Sequence, residues 1–202
     1  MAKRSLEKKR IGSAVLGLAC LAVAGAVVWS LFGPKLDTQA NAAVDATTTA
    51  SIAPENSSLG PSGLPVPRFV SLKAGKVNVR RGPSSDHPVA WVFQRKGLPV
   101  EIVAEFENWR RIRDSEGEEG WILQSMLAGK RTAVVAPWRG QQLTQLHSAP
   151  NRSSSVYAQL AAGAMSEISN CSGDWCEISA GGYDGFVEQD MLWGVYPGET
   201  VN

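Results

Sequence analysis

The sequence predicts an all-β protein: two tandem small β-barrels that follow an N-terminal helix and a disordered linker. Three observations lead there. Residues 77–129 reappear in altered form as residues 144–194. The apolar runs inside each copy are short and separated by turn residues. The chain also opens with an uncharged apolar run long enough to cross a bilayer.

That opening run is the first element. MAKRSLEKKR places five cations ahead of residues 11–33, IGSAVLGLACLAVAGAVVWSLFG, which contain no Asp, Glu, Lys, Arg or His. At a rise of about 1.5 Å per residue, a helix of this length spans a hydrocarbon core of roughly 30 Å. Cations on its N-terminal side stay cytoplasmic, so residues 34–202 are expected outside the cytoplasm, tethered to the inner membrane through residues 11–33. The alternative is a signal peptide. Such peptides have an apolar stretch of about 7–15 residues, shorter than this one, but Ala40-Asn41-Ala42 offers an A-x-A cleavage site that would release a secreted protein. Cys20 reads as a membrane-embedded residue, not a lipid attachment point, because the apolar run continues past it and Gly17 stands where an aliphatic residue would be needed.

Residues 34–67 form the second element. They turn to Ala, Thr, Ser, Pro and Gly, with almost no large apolar side chains, and so cannot bury a core. They read as a flexible linker that holds the rest of the chain away from the membrane.

The remaining elements are two copies of one unit, at residues 68–131 and 132–202. Pro83 and Val89 fall on Pro150 and Val156 at an offset of 67; Gly97, Glu101, Ile102, Trp109 and Ile112 fall on Gly163, Glu167, Ile168, Trp175 and Ile178 at 66. Gly120, Gln124, Met126, Leu127 and Gly129 meet Gly185, Gln189, Met191, Leu192 and Gly194 at 65. Two single-residue deletions in loop regions are all that this register requires, which makes an internal duplication the strongest statement in the sequence. Within the first copy, strands are expected at Val77 to Arg80, Ala90 to Phe93, Leu98 to Phe106, Trp109 to Arg113 and Gly120 to Leu123. Strands this short call for a closed sheet without free edges.

The first copy also carries Asn78-Val79-Arg80-Arg81-Gly82-Pro83, Asn108-Trp109-Arg110-Arg111-Ile112 and Gly117-Glu118-Glu119-Gly120-Trp121-Ile122 in this order. Together these resemble the bacterial SH3 (SH3b) domain, with its N-V-R-x-G-P turn, a Trp opening a central strand and a later G-x-x-G-W-[VI]. The second copy is degenerate at the first motif, Gln145 to Pro150, and has Phe186 in place of the later Trp. The resemblance implies SH3-like barrels in a non-catalytic cell-envelope binding protein. The implied partner is peptidoglycan or its peptides; the alternative is a protein–protein adaptor working on another envelope protein.

Alternation along the central strand sends Trp109, Arg111 and Arg113 to one face and Arg110 and Ile112 to the other. Ile112 is the natural core residue. Trp109 is then expected on the less buried side, where its indole, with Arg111, Arg113 and Arg80, forms a candidate ligand groove; the other reading is that Trp109 caps one end of the barrel. Trp91 and Trp121 are expected in the core.

The near-neutral total charge hides segregation: +4 over residues 68–131 and −5 over residues 132–202. The basic first unit suits an anionic polymer or lipid head groups, although a solvated surface explains scattered cations equally simply. An extracytoplasmic location argues against nucleic acid. The acidic second unit could dock on the basic first.

Cys171 and Cys176 align with Glu105 and Arg110, an opposite-charge pair, as cross-strand neighbours would. Outside the cytoplasm a disulfide is favoured over a metal half-site lacking two further ligands. Pairing 171 with 176 while keeping Ile168 and Ile178 on one face requires a bulge between them. His87 and His147 lie in turn regions of different units and have no Cys or Ser nucleophile in a catalytic context, so no enzymatic activity, metal or cofactor is expected.

Overall fold

The computed structural model describes residues 57–202. The expected anchor or signal segment, the cleavage point at Ala42 and the linker up to residue 56 lie outside the described residues. Among the described residues, no helix is long and apolar enough to cross a membrane.

A small hairpin, β1 (Ser58–Leu59) with β2 (Pro65–Val66), precedes two seven-stranded antiparallel sheets. Module one consists of β3 (Arg68–Leu72), β4 (Val77–Arg80), β5 (Val89–Phe93), β6 (Pro99–Phe106), β7 (Trp109–Arg113), β8 (Glu119–Leu123) and β9 (Leu127–Ala128). Its strands lie in the order β5-β4-β8-β7-β6-β3-β9. Module two consists of β10 (Thr132–Val135), β11 (Leu143–His147), β12 (Val156–Ala161), β13 (Met165–Ser172), β14 (Trp175–Ala180), β15 (Tyr183–Glu188) and β16 (Leu192–Trp193). Its order, β12-β11-β15-β14-β13-β10-β16, repeats that of module one strand for strand.

The irregularities repeat as well. Register shifts fall between Val79 and Arg80 and between Leu146 and His147, and again between Ile102 and Ala104 and between Ile168 and Asn170. The last of these meets the geometric requirement set by the cysteines. Ile168 pairs with Ile178 and Cys171 with Cys176, Ser169 is the extra residue, and all four paired side chains are buried. Cys171 and Cys176 form a disulfide.

Each sheet encloses its own apolar core. In module one this is built around Leu72, Val77, Val79, Val100, Ile102, Ile112 and Ile122; in module two around Leu146, Leu160, Ile168, Ile178, Val187 and the disulfide. At the repeated Gly120 and Gly185 the backbone passes close to a neighbouring strand. A Cβ on Gly120 would lie 2.4 Å from Val79 Cγ1 and 3.1 Å from the Arg80 carbonyl, and one on Gly185 would lie 2.6 Å from the His147 carbonyl.

The flexible linker expected over residues 34–67 gives way to structure before its end. The β1–β2 hairpin is fastened to module one through Glu105, which accepts hydrogen bonds from Ser62 N–H and Ser62 Oγ, both at 2.9 Å, while Arg68 donates to the Pro65 carbonyl.

The modules meet along an apolar seam. Phe69 packs edge-on against Trp193 at 5.2 Å and, with the rings tilted by 42°, against Tyr196 at 4.7 Å between ring centroids. Val134 of module two belongs to the module-one core. Thr132 Oγ1 donates to the Gly97 carbonyl at 2.7 Å, and Tyr196 Oη donates to Glu101 at 2.9 Å. Ion pairs also join the two units, Lys130 with Glu167 and Arg131 with Glu199, so ring packing, hydrogen bonds and charge pairs all contribute to the seam.

Candidate functional site

The module-one residues singled out from sequence do not assemble into one groove. Trp109 is only 9% exposed, so it is not the open platform expected of it. The alternation was read correctly, since Ile112 is in the core and Trp109 is not in that cluster, but Phe106 and Leu123 stand directly opposite Trp109 on the two neighbouring strands and share its face. Large cross-strand neighbours on one face cover the residue between them.

Trp91 is buried as expected. Trp121 is half-buried on the outer face instead of in the core, because Ile122 takes the inward position. Trp121 pairs with Arg80 on one side and Arg111 on the other, so two of the predicted site residues do meet, on either side of an indole. The arginines are engaged, however. Arg80 donates to the His87 carbonyl at 2.7 Å, Arg111 and Arg113 each reach Glu119 at 2.7 Å, and Arg113 also reaches Glu101 at 3.1 Å.

The equivalent end of module two is more open. Pro150, Asn151 and Arg152 on one side and Pro197 and Gly198 on the other enclose a cleft of about 600 Å³ over Trp175 and Gln189. Trp175 holds the position that Trp109 holds in the first copy, but its cross-strand partners are Ser172 and Glu188, and its side chain is half-buried. From behind, the buried His147 ring meets the indole edge-on at 5.4 Å.

Both walls are fixed. Ser154 Oγ accepts from Ala149 N–H at 3.3 Å and donates to the Asn151 carbonyl at 2.8 Å, which ties the 149–154 turn together. Gln189 accepts from Gly198 N–H at 2.6 Å and donates to the Glu199 carbonyl at 2.8 Å. Arg131 then clamps Glu199 through both guanidinium nitrogens at 2.6 and 3.0 Å.

The cleft is acidic. Asp174, Glu188 and Asp190 line it, and Arg152 is its single cation. Arg152 pairs with Glu188, whose hydrogen bond and charge push the guanidinium above its usual value, with a smaller contribution from Asp190. The aligned residues of module one are Asn108, Leu123 and Ser125, none of them charged, and they border a cleft of about 510 Å³ beside Lys73. Sequence reading passed over Trp175 because the first motif of its module is degenerate. The offset of 66 that places Trp175 on Trp109, together with the acids on both sides of it, was the available signal.

Buried polar groups also differ between the copies at the inner end of this face. Glu105 and Arg110, whose side chains are 1% and 4% exposed, are 3.1 Å apart in module one, and the disulfide takes their place in module two. Burial pushes the Glu105 carboxyl up, but the hydrogen bonds from Arg68 and Ser62 and the Arg110 charge together hold it below the usual glutamate range.

The architecture is a duplicated all-β unit with a surface groove over a tryptophan. The bacterial SH3 domain family matches residues 73–129 and 142–194, more than half of the chain, and the chain belongs to that family. A search of curated proteins finds no match. Two solved structures are similar in part. One is NlpC2 from Trichomonas vaginalis, at 17% identity, TM-score 0.29, 63% of this chain and 48% of that one. The other is NlpC1 from the same organism, at 16% identity, TM-score 0.29, 70% of this chain and 50% of that one. The chain thus matches about half the length of these structures.

Proposed function

We propose that this protein is a non-catalytic binding module of the bacterial cell envelope, that each sheet closes as an SH3-like barrel, and that the Trp175 groove is the ligand site. In this reading residues 11–33 tether it to the inner membrane and the modules work outside the cytoplasm. The ligand is a peptide of peptidoglycan presented by a cationic end. The observation that carries this is the set of Asp174, Glu188 and Asp190 around a half-buried indole, where the sister module has Asn108, Leu123 and Ser125 at the same backbone positions. An ammonium group over an indole face gains about 0.5–2 kcal/mol from the ring alone, and nearby carboxylates add to it.

The test is co-sedimentation of the full-length chain, in mild detergent, with purified sacculi. Retention at low salt that falls at least tenfold in Asp174→Asn/Asp190→Asn, while Arg111→Gln is retained as well as the unaltered chain, is the expected result. Equal retention of the double variant would overturn the groove assignment. No retention, with an envelope protein recovered by cross-linking, would favour an adaptor instead. Phe106 and Leu123, both substantially exposed on module one, give that reading an apolar surface to work with.

A further inference from the structure

The two modules enclose a second cleft where they meet, of about 640 Å³, and its chemistry is opposite to that of the Trp175 groove. Lys73, Lys96 and Lys130 come to it from three separate connections of the chain, and Glu167 is its only carboxylate. Glu167 is already matched by Lys130 at 2.5 Å, whereas the Lys73 and Lys96 side chains have no ion-pair partner among the described residues. Lys96 belongs to module one alone, since the aligned residue beside Gly163 is Ala162.

Two hydroxyls in the lining strengthen the case. Ser71 and Ser166 are buried, and each reaches only a carbonyl at 3.4 Å, the long limit for a hydroxyl hydrogen bond. Both therefore keep donor capacity that a stronger acceptor would use. The cleft is also rigid, because Thr132 Oγ1 fastens one wall to the Gly97 carbonyl and Met165 packs on the module-one core.

We infer that this inter-module cleft binds a phosphate group, held by Lys73 and Lys96 with hydroxyl donation from Ser71 and Ser166. Ammonium groups bind phosphate as compact point charges, and the two hydroxyls add donors to its oxygens. This site is separate from the Trp175 groove and does not depend on it.

The test uses the full-length chain in phosphatidylcholine nanodiscs, with backbone amide NMR shifts followed as inorganic phosphate is added against sodium chloride of equal ionic strength. Saturable shifts at Ser71, Gly97 and Ser166, with half-saturation near ~1 mM, are expected; this corresponds to the weak binding of a single small anion. Lys73→Gln/Lys96→Gln should raise the half-saturation at least tenfold and leave the melting temperature unchanged. Replacing part of the lipid with phosphatidylglycerol, or adding soluble glycerol phosphate polymer, then separates a membrane source of the phosphate from a soluble one. Shifts that never saturate, that sodium chloride reproduces, or that survive unchanged in the double variant would overturn the site.

Discussion

Replacing Glu105 tests how β6, β7 and the β1–β2 hairpin are held together. In the folded chain this carboxylate accepts from Arg68 Nη2 at 2.7 Å and from Ser62 N–H and Oγ at 2.9 Å, and it lies 3.1 Å from Arg110 Nε in an ion pair without hydrogen-bond alignment. Glu105→Ala removes all of these at once and leaves the Arg110 charge buried, with only the Glu107 and Trp109 carbonyls and Gln124 as acceptors. Breaking a buried pair on one side costs about 3–5 kcal/mol; Arg68, which is partly exposed, can turn to water, so a loss near ~3 kcal/mol is expected. Module two supplies the control. Glu105→Cys/Arg110→Cys copies the Cys171–Cys176 bridge at the same separation of 5, and closing so short a loop contributes about 2 kcal/mol in the chain-entropy account. Urea unfolding followed by tryptophan fluorescence should place the oxidised double variant within ~1 kcal/mol of the unaltered chain, the reduced form about 2 kcal/mol lower, and Glu105→Ala lowest. A cost under ~1 kcal/mol for Glu105→Ala, or an oxidised double variant as weak as that single one, would refute the reasoning.

Other consequences follow from the same structure. Because the Glu105 carboxyl sits below its ordinary value of 4.5, its contribution is complete above that pH and is lost as pH falls through the lowered value; acid titration of the unfolding midpoint should be flatter in Glu105→Gln. Burial, then the Glu101 charge and the hydrogen bond to it, raise the Tyr196 phenol well above its ordinary 10.0, so its contribution is complete below that pH and is lost in stronger alkali; Tyr196→Phe should remove that alkaline loss in thermal melts. Phe69→Ala should cost about 3–5 kcal/mol and let the modules separate, and small-angle scattering of the unaltered chain should not change between low and high salt. Gly120→Ala should destabilise by more than 1 kcal/mol, measured by urea unfolding, because its Cβ meets the fixed Arg80 carbonyl as well as Val79.

Much of the fold was legible because duplication writes each structural requirement twice. Gly120 and Gly185, Trp109 and Trp175, and Ile112 and Ile178 mark positions where the backbone path leaves few choices. Strand limits followed from alternation, and Val77–Arg80 and Trp109–Arg113 coincide with the expected runs. The conflict between cysteine pairing and core facing called for a bulge or a register shift, which lies at Ser169. Burial on the outer face was not legible. Whether Trp109 is open depends on Phe106 and Leu123 one strand away, and whether Trp175 is open depends on Ser172 and Glu188, which are contacts across the sheet that alternation along one strand does not report. The seam was missed for a related reason. Phe69 precedes the aligned repeat and Tyr196 follows it, so neither was part of the comparison that revealed the modules.

The divergence between the copies also bears on which module binds. Topology, bulges and the final 3-10 turn are the same in both, so a side chain that differs at one backbone position reflects a local demand, not a different fold. At the inner end the change from an ion pair to a disulfide exchanges one cross-strand link for another. Around Trp175 three carboxylates line, with one guanidinium, a cleft that Asn108, Leu123 and Ser125 show can be built from neutral residues. Like charges held close together weaken the fold unless something else needs them there, and departures from local consistency concentrate at functional sites. On the proposed reading, module two is the specialised copy, its acidic groove replacing neutral residues while module one keeps the family signature and its paired arginines.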